Sequence, residues 1–242
     1  MEIVGNETPN PERIRERHGR LLAGLRATAE AAGHDPDRLR IVAVTKSWPV
    51  EVARAAHDAG LRLLGESRIQ EAEPKIAAIP DAEWHFIGRL QSNKARRAIR
   101  GFPVIHSVDS IDLLRRLDEL AAEEGSETRV LLQVNVSGES GKAGLAPDAL
   151  TGVATALPTT VRLSGLMTIA PMGASEGEAR AIFSRLRGLR DELEQATGIG
   201  LPELSMGMTA DADAAAAEGA TLIRIGTAIF GPRDQTLLSS AR

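Results

Sequence analysis

The stretch "LRIVAVTKSWP" (39–49) closes a run of small and β-branched apolar residues on Lys46. A lysine drawn into a partly desolvated pocket has its ammonium disfavoured and becomes nucleophilic enough to form an imine with an aldehyde or ketone. The plainer alternative is a solvated lysine at a strand end, since exposed lysines far outnumber buried ones. Two later segments, "LSMGMTADAD" (204–213) and "IRIGTAIFG" (223–231), place glycine, small and hydroxyl residues where an apolar run turns into a helical one. Such turns let backbone and hydroxyl donors approach an anion, although they also serve as ordinary capped turns. Arg224 interrupts "LIRIG" two positions before Gly226, and so shares Gly226's side of the strand. Either it pairs with a carboxylate such as Glu66 or Asp211, or it donates to a ring nitrogen of a bound heterocycle and keeps that nitrogen unprotonated. "WHFIGRLQSNKARRAI" (84–99) adds a polar cluster of His85, Arg89, Gln91, Asn93 and Lys94. Taken alone, a histidine in an apolar strand is more often a hydrogen-bonded core residue, and "KARRAIR" a solvated helix face.

These residues need elements that converge. Short apolar runs alternate with helical stretches throughout the chain, the pattern of crossovers and a parallel sheet. The strand candidates are 40–46, 62–66, 84–88, 103–108, 129–136, 162–169, 203–206 and 222–226. Helices are expected at 11–32, 50–59, 68–78, 92–100, 110–124, 147–156, 175–196 and 211–218, with a short one after Gly226. Asp109-Ser110 and Pro147 mark helix starts, and Gly60 and Gly219 lie just past two ends. The expected fold is α/β, a single (β/α)8 barrel domain over residues 1–242 with an extra N-terminal helix. An open doubly wound sheet is the rival, weakened because no Gly-x-Gly-x-x-Gly follows the first strand. In a barrel, the carboxyl ends of the strands share one mouth, and Lys46 and both glycine-bearing turns fall there.

Composition removes several function classes. The chain has 242 residues, 43% of them hydrophobic, which suffices for one sizeable core. A net charge of −4 argues against a broad nucleic-acid footprint. There is no cysteine, hence no disulfide, thiolate nucleophile or cysteine metal site, and the cytoplasm is the expected compartment. No apolar run is long enough to span a membrane, and residues 1–20 carry no secretory pattern. No metal-ligand spacing is evident, and "GESGKAG" (138–144) lacks the spacing of a nucleotide loop.

The motifs "IVAVTKSWP", "GESRIQE", "WHFIGRLQSNK", "HSVDS", "VNVSGESGKAGL", "GLMTIAPM" and "LSMGMTADADAAAAEGATLIRIGTAIFG" run over nearly the whole chain. Together they resemble the pyridoxal phosphate homeostasis proteins, whose fold is similar to the barrel domain of alanine racemase. The resemblance implies that Lys46 holds pyridoxal 5′-phosphate as a Schiff base, that Ser205, Gly226 and Thr227 hold its phosphate, and that Arg224 faces the pyridine nitrogen. Ser67 and Thr209 depart from the family pattern, which carries asparagine and often serine there. The implied role is non-catalytic: carrying or buffering the cofactor in vitamin B6 and amino-acid homeostasis, as a monomer, with cofactor-dependent apoenzymes as recipients. A low racemase or lyase activity is the alternative. Alanine racemase works with a second domain and a tyrosine from its partner subunit. This chain stops soon after the last motif and has no tyrosine, so a racemase of that design is not expected.

Overall fold

The computed structural model describes residues 10–232. Helix α1 (Pro11–Ala31) begins at Asn10, whose side chain accepts from the Glu12 amide at 2.8 Å, with proline as its first residue. Eight parallel strands follow: β1 (Arg40–Val44), β2 (Leu63–Glu66), β3 (Glu83–Phe86), β4 (Val104–Val108), β5 (Arg129–Gln133), β6 (Arg162–Met167), β7 (Glu203–Ser205) and β8 (Leu222–Ile225). They pair in chain order, and β1 pairs with β8, so the sheet closes into a barrel and the open-sheet rival is excluded. The crossovers are α2 (Val50–Asp58), α3 (Ile69–Ala78), α4 (Ala95–Gly101), α5 (Ile111–Glu124), α6 (Glu176–Thr197) and α7 (Ala212–Ala217), with α8 (Thr227–Phe230) after β8.

Local chemistry explains the clean ends. Ser110 caps α5 by accepting from the Leu113 amide, and Ser175 and Glu178 form a reciprocal capping box on α6. Gly60 and Gly219 take positive φ (94° and 83°) just past α2 and α7. The connection after β5 departs from expectation: Pro147–Thr155 is a 3-10 helix rather than an α-helix. Within it Thr151 and Thr155 turn their hydroxyls onto carbonyls three residues back, and Gly152 lowers helix propensity further. Most strands also stop one to three residues before the apolar run ends, leaving the last residues, Lys46 among them, on the mouth loops.

Alternation sorts each strand into two faces. Outward residues such as Leu64, Trp84, Phe86 and Ile105 join the large core beneath the helices. Inward residues Val42, Val104, Leu131, Met167 and Leu222 form a separate cluster inside the barrel. Arg40, Val42, Val44 and Lys46 therefore belong to the inner face of β1 and its extension. At the amino ends of the strands, the barrel floor is tied by Arg40–Glu203 (2.6 Å) and Arg129–Glu83 (2.5 Å). Among the described residues no helix is long and apolar enough to cross a membrane, and no cluster of potential metal ligands occurs.

Candidate functional site

The mouth of the barrel holds a cavity of about 320 Å³, within the range of small-molecule sites. Lys46, Arg224, Gly226 and Thr227 all line it. Val44, Ile87 and Ile169 give it apolar walls. Trp48 forms a further wall, with its ring 6.1 Å from that of Phe230 on α8, so the segments after β1 and β8 are packed together beside the site. Close backbone approach explains Gly226: a Cβ there would lie 3.2 Å from the Val44 carbonyl oxygen, in the seam between β1 and β8.

Lys46 is exposed at the rim, so the cavity opens to water at the amine. Its backbone is held firmly. The residue before it, Thr45, is fully buried, with its carbonyl accepting from Lys75 Nζ at 2.8 Å and its hydroxyl donating to Glu66 at 2.8 Å. Lys75 of α3 and Glu66 of β2 form a buried ion pair at 2.5 Å, and burial raises the Glu66 carboxyl despite that pairing. The residue after it, Ser47, adopts φ 62°, a left-handed conformation uncommon outside glycine, and its amide donates to Glu71 at 3.2 Å. The amine thus projects from a strained, clamped turn.

Arg224 is buried, and burial lowers its guanidinium to about 10, with Asp211 opposing the shift. It remains charged at neutral pH. Glu66 is taken by Lys75, while Asp211 accepts from the Met208 amide at 2.6 Å. Arg224 instead donates to Ser205 Oγ at 2.5 Å and to the Thr168 carbonyl at 2.9 Å. Among the described residues this cation forms no ion pair, and its remaining N–H donors are available to the cavity it lines.

A family profile for "Alanine racemase, N-terminal domain" matches residues 21–234. A pyridoxal phosphate homeostasis protein of Pseudomonas aeruginosa is 44% identical over 91% of this chain and 96% of its own. The Escherichia coli protein of that name is 37% identical over 87% of this chain and 92% of its own. The chain belongs to the pyridoxal phosphate homeostasis protein family. A solved structure of PipY from Synechococcus elongatus, described as having PLP bound, superposes with a TM-score of 0.79 at 42% identity, covering 90% of this chain and all (100%) of that one. Alanine racemase of Clostridium difficile shares the barrel at a TM-score of 0.67 and 14% identity, over 88% of this chain and 57% of that one, a likeness of fold alone.

Within this family member, four of the five residues singled out by sequence meet at one cavity; Ser205 does not. It is fully buried beneath the mouth, and its hydroxyl is engaged by Arg224 and by His106 Nδ1 at 2.7 Å. Thr209, three residues from Met206 along the same turn, lines the cavity instead, together with Met208 and Ala210. β7 ends at Ser205 with that side chain still turned inward, and the chain leaves the barrel interior only afterwards. Ser67 is not part of the lining; its carbonyl passes so close to Gly88 that a Cβ there would meet it at 2.0 Å. His85 is a buried, hydrogen-bonded core histidine. The arginines of α4 are compensated by neighbouring helices: Arg96 pairs with Glu123 and Glu124 and Arg100 with Glu124 on α5, and Arg97 with Glu73 on α3, the solvated helix face expected of "KARRAIR". His106 was missed, because a lone histidine in "PVIHSV" carries no local signal; only barrel closure brings it to Ser205, 99 residues away.

Proposed function

We propose that this chain binds pyridoxal 5′-phosphate in the mouth cavity, captures it reversibly on Lys46, and serves cytoplasmic vitamin B6 homeostasis by holding the cofactor and releasing it to apoenzymes. One observation carries the reading: a primary amine, a buried arginine that forms no ion pair among the described residues, and a glycine-threonine turn line the same cavity of about 320 Å³. The names of the relatives, and the PLP-bound PipY, support the same ligand. When bound, pyridoxal phosphate supplies an aldehyde for an amine to capture and a ring able to accept electrons.

The chain's residues fit that group. Lys46 stands at the rim, where a competing amine could reach the captured aldehyde and release it by exchange. Thr209 and Thr227 offer hydroxyl donors, and Gly226 permits close backbone approach, a combination suited to a phosphate. This assigns the phosphate to Thr209, Gly226 and Thr227, while Ser205 below them is engaged by Arg224 and His106. Arg224 does not give up its proton, so a ring nitrogen accepting from it stays unprotonated, which weakens the ring as an electron sink. Among the described residues, the ionisable side chains lining the cavity are Lys46 and Arg224, and an arginine is a poor base. Proton transfer on both faces of a substrate carbon would fall to Lys46 alone, which favours holding over turnover.

Adding pyridoxal phosphate should produce a near-visible absorbance band that is lost in Lys46→Ala. An undiminished band in that variant contradicts the reading. Incubating the loaded protein with amino acids in heavy water should give negligible α-carbon exchange; exchange at a useful rate would favour a racemase-like enzyme.

A further inference from the structure

Five hydrogen bonds in series run down the inside of the barrel from Arg224 to the floor. Arg224 Nη1 meets Ser205 Oγ at 2.5 Å, Ser205 Oγ meets His106 Nδ1 at 2.7 Å, and His106 Nε2 meets His85 Nδ1 at 2.7 Å. His85 Nε2 then meets Glu83 at 2.8 Å, and Arg129 donates to the other oxygen of Glu83 at 2.5 Å. Ser205, His106 and His85 are buried, on three different strands, with the imidazole rings edge-to-face at 5.0 Å.

The donors can be assigned by elimination. Arginine only donates, so Ser205 accepts from Arg224 and must place its own proton elsewhere. Among the described residues, the acceptor within reach is His106 Nδ1. A neutral His106 then carries its proton on Nε2 and gives it to His85 Nδ1, which leaves the His85 proton on Nε2, facing Glu83. Other assignments strand the serine proton in the core or set two N–H groups against each other, and a buried unpaired polar group is costly. The electrostatics agree. Burial lowers both imidazoles, His106 well below its ordinary value, and Glu83 is held down at about 2, first by the hydrogen bond from His85 and then by Arg129.

We propose that His106 and His85 are positioning residues for Arg224: with Ser205 they form a one-way hydrogen-bond chain that links the guanidinium to Glu83 and fixes it at the base of the cofactor cavity. Along the four links from Arg224 to Glu83 every hydrogen points away from Arg224, so every accepting lone pair points toward it. Aligned hydrogen bonds polarise one another, and in this way the floor carboxylate stabilises a cation it does not touch. The chain also explains why Ser205 is not spare for a phosphate. Its ligand-facing consequence rests on the function proposed above: a guanidinium held in one place presents its remaining N–H donors to the ring nitrogen in one geometry.

Nitrogen-15 spectra of the ligand-free wild-type protein at neutral pH test the chain directly. Both histidines are expected neutral, each with its proton on Nε2; a charged imidazole or a proton on Nδ1 of His106 overturns the assignment. His106→Phe should bind pyridoxal phosphate about tenfold more weakly, the effect of one buried hydrogen bond. Borohydride should still attach the cofactor to Lys46 in that variant. His106→Gln, whose amide can accept from Ser205 and donate to His85, should recover most of the affinity. His106→Phe with wild-type affinity and an unshifted absorbance band overturns the positioning role. A wild-type protein that takes up no pyridoxal phosphate overturns the proposed function, and the spectra then decide the chain on their own.

Discussion

The floor and the mouth of this barrel treat charge in opposite ways. At the floor, Arg40 meets Glu203 and Arg129 meets Glu83, so each cation there has a carboxylate. Near the mouth, Arg224 is buried against a hydroxyl and a carbonyl, neutral oxygens that satisfy its geometry without neutralising it. A buried charge left unneutralised is expensive for folding alone and useful for an anionic ligand. The floor is thus built for stability, and the mouth keeps positive charge for something that arrives later. The sheath repeats the floor's solution: Lys75 and Glu66 are buried together, and they hold the turn that carries Lys46.

The sheath pair should give the largest stability effect. Glu66→Ala strands the Lys75 ammonium in the core and is expected to cost about 3–5 kcal/mol, read from urea denaturation. A loss under about 1 kcal/mol, the scale of a surface pair, would mean that this pair is not structural. Next, Arg224→Gln should weaken pyridoxal phosphate binding by roughly ten- to a hundredfold while changing stability little. The floor variant Glu203→Gln should do the reverse, lowering stability and leaving affinity at the wild-type value. Titrating both variants with the cofactor sharpens the contrast, and equal losses of affinity would erase it. The smallest effect is in acid. Because burial lowers His85 and His106, the folded state refuses protons that unfolded imidazoles accept, so stability should begin to fall as pH drops below about 6.5. Glu83, depressed from 4.5 to about 2, contributes fully above 4.5, and that contribution is lost as pH falls toward about 2. Glu83→Gln should therefore flatten the urea-midpoint profile below pH 4.5, and an unaltered profile would remove Glu83 from the account.

Much of this was legible in the sequence, for a physical reason. Apolar runs alternating with helical stretches specify a parallel barrel, and a barrel sends every strand's carboxyl end to one place, so Lys46, Arg224, Gly226 and Thr227 could be gathered without coordinates. Ser205, named on the family resemblance, lies below the cavity because it is still a strand residue of β7 with its side chain inside the barrel. The series through His106 and His85 was illegible, since its members lie on different strands and each looks like an isolated core residue. The 3-10 turn at Pro147–Thr155 was hidden by a composition that also suits an α-helix.

Lys46, and no other amine of this chain, is expected to take the cofactor. Loading the protein with pyridoxal phosphate, reducing it with borohydride and mapping the modified peptide by mass spectrometry tests that most directly. A single stoichiometric label on Lys46 is the expected result. Label spread over lysines such as Lys94 and Lys142, or absent from Lys46, would contradict it.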